Sequence, residues 1–182
     1  MSKPLVEKHT RFVPLIAAID RMEGELEGKV EGGSPVLIHA EAGVVHETLE
    51  HELLPHAVSE GRTLFPVLRR VTGSSEVTGD MLEAHRKIAR LTDELERVRH
   101  DLIKAGVSSR QGEQMHALLE ELKSTVRSHF EQEEHYCFEV LQKELPPEEA
   151  EGLCEALEKA THDVRRTIEC GGGRARSGRP YE

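Results

Sequence analysis

No apolar run in these 182 residues approaches the roughly 20 that a bilayer-spanning helix needs, and the N-terminal stretch MSKPLVEKHTRF has no signal-peptide core. A cytoplasmic protein is expected. Basic residues are in the minority, 24 against 34 acidic, and the net charge of −10 repels phosphates. Neither nucleic acid nor a membrane is therefore expected as a partner. Cysteine is scarce: Cys137, Cys154 and Cys170 are odd in number and no two stand in a CxxC spacing. That argues against a disulfide framework and against a thiolate zinc site, and leaves reduced thiols. Strand-like alternation, a solenoid repeat, a nucleophilic triad and a nucleic-acid motif are also missing. The glycine-rich GGGRARSG near the C-terminus lacks the strand-to-helix context of a phosphate-binding loop.

What is present is amphipathic helix. With 37% hydrophobic and 32% charged residues, the chain can build one domain with a real core. Segment A, from about Lys3 to Glu27, places Leu5, His9, Phe12, Ile16 and Ile19 on one stripe, and Pro14 should kink it. Gly28, Gly32 and Gly33 break the chain. Segment B opens with Ser34 as N-cap and Pro35 at the first helical position, and runs to about Val71 with bends expected at Pro55 and Pro66. After the turn VTGSSEVTG, Asp80 and Glu83 have capping-box spacing for segment C, whose stripe is Met81, His85, Ile88, Leu95, Val98 and Leu102. Segment D runs from about Ser109 to Leu145. A short fifth helix starts near Pro147 and carries Leu153, Ala156, Leu157 and Ala160. The expected fold is all-α: an antiparallel up-down four-helix bundle over 1–145, a C-terminal helix packed on it over 146–170, and a disordered tail over 171–182.

Four histidines, His9, His56, His85 and His129, lie inside these amphipathic segments. Imidazoles and carboxylates ligate first-row transition metals, and residues four apart share a helix face. The sequence holds five HxxxE pairs: His46/Glu50, His56/Glu60, His116/Glu120, His129/Glu133 and His135/Glu139. Two of them continue apolar rows. His56 and Glu60 follow Val45, Leu49 and Leu53 and precede Leu64, Val67 and Val71, while His129 and Glu133 interrupt Leu122, Val126, Cys137 and Val140. The other three pairs are rotated away by about 100° or more and should face solvent.

Antiparallel pairing tests these candidates by height. At about 1.5 Å per residue, His9 lies roughly 27 Å before the end of segment A and His56 roughly 31 Å after the start of segment B. His85 and His129 each lie roughly 30 Å from the C–D turn, so both hairpins bring their histidines level. His39 would sit at the opposite end of the bundle. The B–C junction fits less well, and its nine-residue turn would have to absorb the difference.

The stretches LVEKHTRFVPLI, LLPHAVSEGRTLFPVL, MLEAHRKIARL and HFEQEEHYCFEVL resemble the hemerythrin-like, or HHE cation-binding, family over about residues 5–141. The resemblance implies a left-handed four-helix bundle around a non-haem centre of two iron ions, oxo- or hydroxo-bridged. Carried over, His9 and His56 would bind one iron, His85 and His129 the other, and Glu60 and Glu133 would bridge. The same nitrogen and oxygen donors also suit manganese or zinc. Two departures stand out. Oxygen-carrying members have a second histidine one turn after the segment C ligand, where this chain has Ala89. Their helix D carboxylate also falls five residues after its histidine, which makes Glu134 a competitor for Glu133; Glu134 points further from the apolar stripe.

His39, His46, His51, His100, His116, His135 and His162 are assigned to the surface or helix flanks, with an outer-partner role as the alternative for His46 and His51. Tyr136 is read as core packing, with a place facing the site as the alternative. The missing histidine implies open positions on the irons, which favour turnover over storage. The leading functional expectation is a redox-active di-iron protein handling dioxygen, hydrogen peroxide or nitric oxide. The alternatives are an oxygen- or iron-sensing module acting through a protein partner, and oxygen or iron storage.

Overall fold

The computed structural model describes residues 9–28, 35–105 and 108–170, and among them are five helices and no strand. A 3-10 turn, His9–Phe12, leads into α1, Val13–Gly28. Helix α2 spans 35–72 as Pro35–Thr48, a π turn Leu49–Leu53, and Leu54–Thr72. Helix α3 is Glu76–Ala105. Helix α4 spans 109–144 as Ser109–Gln132, a π turn Glu133–Cys137, and Phe138–Glu144. Helix α5 is Pro147–Cys170. Helices α1 and α3 each pack against both α2 and α4, which closes the up-down bundle. The expected start near Lys3, Leu5, the Ser34 cap, the glycines at 32 and 33, and the tail lie outside the described residues.

Local chemistry accounts for the differences from expectation. The chain enters α1 through a 3-10 turn, in which residues three apart stack. The buried row is therefore His9, Phe12, Leu15, Ile19, Met22 and Leu26, and Ile16 is only half-buried beside it. Pro14 sits in the first turn of α1, where a helix needs no donor, so it starts the helix rather than kinking it. Pro55 is met in a related way. Leu54 donates its N–H to Leu49 O, five residues back, and Pro55 falls in the first turn of the α-helical segment that follows.

Helix α2 ends at Gly73, whose φ of 67° places it in the left-handed region and whose N–H reaches Arg69 O at 3.0 Å. The B–C turn is residues 73–75, not nine residues. Asp80 therefore lies inside α3 and forms no cap; Ser74 Oγ accepts the Glu76 N–H at 3.2 Å instead. Gly79, read as a turn residue, is helical, with its N–H bonded to Ser75 O at 2.9 Å. Helix α4 has a full capping box between Ser108 and Gln111.

Two apolar clusters form the core. One joins α1 to the first part of α2, the later part of α3 and the earlier part of α4, with Ile19, Leu53, Leu95 and Val126 fully buried. The other joins the end of α2, the start of α3, the end of α4 and α5 through Leu64, Phe65, Met81, Phe138 and Leu157. Each fully buried leucine or phenylalanine contributes about 1.5–3 kcal/mol.

Helix α5 is not short: its 24 residues equal the first segment of α4. It runs antiparallel to α2, as the contacts Arg70–Glu149, Ser59–Thr161 and Glu52–Arg165 show. Its buried row is Leu153, Leu157, Thr161 and Val164, while Ala156 is exposed. Because α5 covers the outer side of α2, every residue from 53 to 60 of α2 is buried.

Candidate metal centre

Between the two apolar clusters lies a layer of six polar side chains. His9 comes from the 3-10 turn before α1, His56 and Glu60 from α2, His85 from α3, and His129 and Glu133 from α4. All six are 5% exposed or less. Along each long helix they replace apolar residues of the inward row: Leu53 and Leu64 flank the α2 pair, Met81 and Ile88 flank His85, and Val126 and Cys137 flank the α4 pair. Helical periodicity alone aims them at one another.

They converge as two overlapping groups. His9, His56, Glu60 and Glu133 form one, and Glu60, His85, His129 and Glu133 the other; within each, one atom per residue lies within 4.8 Å of all the others. His9 Nε2 stands 2.9 Å from Glu133 Oε2, and His56 Nε2 stands 2.7 Å from Glu60 Oε1. His85 Nε2 is 3.4 Å from Glu60 Oε2 and 3.2 Å from His129 Nε2, which is 3.7 Å from Glu133 Oε1. The residue of α2 level with His85 is thus Glu60 rather than His56, and this removes the mismatch expected at the B–C junction.

The donor set fits a pair of cations. His9 Nε2, His56 Nε2, Glu60 Oε2 and both Glu133 oxygens are buried without a hydrogen bond. Such orphaned atoms are rare and cost about 1–3 kcal/mol each. Metal cations held by these imidazoles and carboxylates would satisfy them together.

The electrostatics divide the two carboxylates. Burial opposes charge on Glu60, yet the charge and close approach of His56 and His85 hold its carboxyl well below the usual range. Burial, reinforced by the charge and proximity of Glu60 and then by Glu134, raises Glu133 well above it. Burial also lowers His9, against the pull of Glu60, and pushes His129 down to about 3 with the help of His85. Neutral imidazoles are the form that binds metal.

Around this layer the structure adds residues that sequence reasoning did not assign. Phe130 stacks on His9 at 4.5 Å between ring centres, and Phe65 stacks on His85 at 5.5 Å. Glu134 is not in either group; its Oε1 accepts a hydrogen bond from His9 Nδ1 at 3.1 Å. A cleft of about 380 Å³ between α1 and α4, lined by Phe12, Ile16, Ala17 and Phe130, reaches His9 and Glu134.

A hemerythrin HHE cation-binding domain matches residues 1–141. The chain belongs to that family. No curated protein and no solved structure matches it. The match ends within α4, so the HHE domain takes in all six polar side chains, and α5 is an addition to it.

The other histidines of this HHE protein lie elsewhere. His46 faces Glu96 at 3.7 Å and His51 faces Glu47 at 3.1 Å, and neither belongs to the two converging groups. His39 donates from Nδ1 to Arg99 O at 3.0 Å and accepts from Arg99 through Nε2. His116 is partly exposed, and His100, His135 and His162 are exposed. Tyr136 is 43% exposed and takes neither place expected of it. The π turn that opens at Glu133 needs an extra residue to close its circle, so Cys137, not Tyr136, returns to the inside. No helix among the described residues is long and apolar enough to cross a membrane. Cys137 and Cys154 are in no disulfide, and burial, followed by Glu133 and Glu60, pushes the Cys137 thiol up to about 12.

Proposed function

We propose that this chain holds two iron ions in a non-haem centre at which dioxygen, hydrogen peroxide or nitric oxide reacts. The observation that carries the reading is the donor count. Each half has two imidazole nitrogens and a share in both carboxylates, and Ala89, 6% exposed, stands where a further histidine would complete the oxygen-carrier set. The two halves are thus equal in protein donors, and neither is saturated by the chain. When bound, iron would supply one-electron redox chemistry and a Lewis-acidic position for a small ligand.

The chain's own contribution is orientation and shelter. Glu60 and Glu133 tie the two halves together, and neither carboxylate has more than 1% exposure. Phe12, Phe65, Phe130 and Phe138 wall the layer with rings that keep bulk water away. The α1–α4 cleft gives a diatomic or peroxide a path as far as His9. Burial and the neighbouring Glu60 favour the protonated form of Glu133, and a cation bound there would favour its carboxylate.

Metal analysis and an optical spectrum of aerobically purified protein test the proposal. About two irons per chain are expected, with His56→Ala or Glu133→Ala lowering the content sharply and His116→Ala or His135→Ala leaving it unchanged. Equal loss in all four variants, or in none, overturns the ligand assignment. Zinc or manganese in place of iron would keep the site and overturn the iron-based redox function. A di-iron protein inert to all three small molecules would point to the sensing or storage readings.

A further inference from the structure

We propose that Glu134 is a positioning residue: its hydrogen bond to Nδ1 fixes the His9 ring so that Nε2 faces the metal layer. The inference rests on the two-metal reading and deepens it by separating the two halves. Three observations support it. His9 is the one member of the layer carried on a 3-10 turn ahead of its helix, whereas the other five project from within long helices. Its side chain therefore has the least backbone support, and Phe130 stacking on one face restrains the ring plane but not its rotation about the ring axis.

The second observation is the pairing of nitrogens. His9 donates Nδ1–H to Glu134 Oε1 at 3.1 Å, which leaves Nε2 without hydrogen, 2.9 Å from Glu133 Oε2 and without a hydrogen bond of its own. That is the tautomer a metal needs, and a carboxylate on the far nitrogen both selects it and makes the near nitrogen a better donor. The third is the π turn Glu133–Cys137. Consecutive residues of an α-helix diverge by about 100°. Here Glu133 and Glu134 address the two nitrogens of one ring from a wider turn. Glu133 is wholly buried, whereas Glu134 has 37% of its side chain exposed at the cleft. The two neighbouring carboxylates therefore hold different places, one inside the layer and one at its rim.

Glu134→Ala should then weaken the His9 half alone. The test loads wild-type protein, Glu134→Ala, Glu134→Gln and the exposed control Glu131→Ala with cobalt(II). It records the ligand-field spectrum and follows extraction by EDTA. Wild type should lose two ions slowly. Glu134→Ala should lose one ion about 10–100-fold faster and the other at the wild-type rate, and its spectrum should change for one ion only. Glu134→Gln, which keeps an acceptor oxygen, should recover most of the difference, and Glu131→Ala should match wild type. Unaltered melting of the metal-free Glu134→Ala protein would show that the bundle itself is intact. Two ions leaving Glu134→Ala at wild-type rates, or both accelerated equally, would overturn the proposal while leaving the two-metal reading in place. A wild-type protein that binds fewer than two cobalt ions overturns the two-metal reading itself.

Discussion

Replacing Ala89 with histidine would put an imidazole one turn after His85 on the core-facing side of α3, where the alanine is 6% exposed. Overpacking there costs about 1–3 kcal/mol unless the ring finds a metal to bind. If it does, one more position is filled by the chain and less is left for substrate. Peroxide consumption by the iron-loaded Ala89→His protein should fall by about tenfold, equivalent to roughly 1.4 kcal/mol of lost transition-state stabilisation. Stopped-flow traces of peroxide loss check this; an unchanged rate would cut the link between Ala89 and function. At this scale much was legible beforehand. His9, His56, Glu60, His85, His129 and Glu133 stand on apolar rows in the sequence, and a polar residue on such a row needs a partner. Glu134 and Tyr136 were harder. Their directions depend on a π turn, which shifts phase by one residue and leaves no mark in a pattern read over many residues.

Among the elements, α5 carries the least expected weight. Thr161 Oγ1 and Ser59 Oγ meet at 2.6 Å, and Ser59 also donates to His56 O at 2.6 Å, so α5 is bonded to the stretch of α2 between His56 and Glu60. Thr161→Val removes the inter-helix bond but leaves Ser59 one partner. Urea melts of the loaded protein should show a loss of about 1 kcal/mol. Ser59→Ala should cost less on top of Thr161→Val than it does alone, because the two side chains share one bond. Full additivity would mean that α5 and the α2 segment are not coupled there. Sequence reasoning placed the start of α5 at Pro147 but read it as short. Its inward row passes through Thr161, a polar residue buried because Ser59 answers it across the interface. The B–C turn misled for a related reason: Gly79 looks like a turn residue, yet a helix interior tolerates one glycine at about 1 kcal/mol.

For the whole molecule, the polar layer makes stability depend on metal and on pH together. Loaded protein should melt well above metal-free protein, since cations that bind only the folded chain add their binding free energy to folding. In the metal-free protein, burial keeps His129 unprotonated down to about 3, whereas the unfolded chain takes up that proton near 6.5. The unfolded state thus binds more protons between those values, and stability falls as pH drops below 6.5, by up to about 1.4 kcal/mol per pH unit from this residue. His9, lowered chiefly by burial, acts in the same sense. Glu133 acts oppositely: its carboxyl is raised well above the ordinary value, so the folded state loses stability as pH rises past that value. Removing the opposing group isolates the histidines: metal-free Glu133→Gln protein should melt lower at about pH 5 than at about pH 6.5, and should decline more steeply than metal-free wild type. A flat profile in Glu133→Gln would mean that neither histidine stays neutral when folded.

The two apolar clusters share no residue; the layer of His9, His56, Glu60, His85, His129 and Glu133 is what lies between them. Apolar contact passes cooperativity from neighbour to neighbour, and here the two clusters face each other across a polar layer. With cations bound, each long helix is pinned to the other two through a common joint, and disturbance of one core is felt in the other. Once the cations leave, the joint is reduced to the close His–Glu approaches of the layer, with His9 Nε2 and both Glu133 oxygens left without a hydrogen bond. The protein would then behave as two short bundles threaded on the same helices, each free to open without the other.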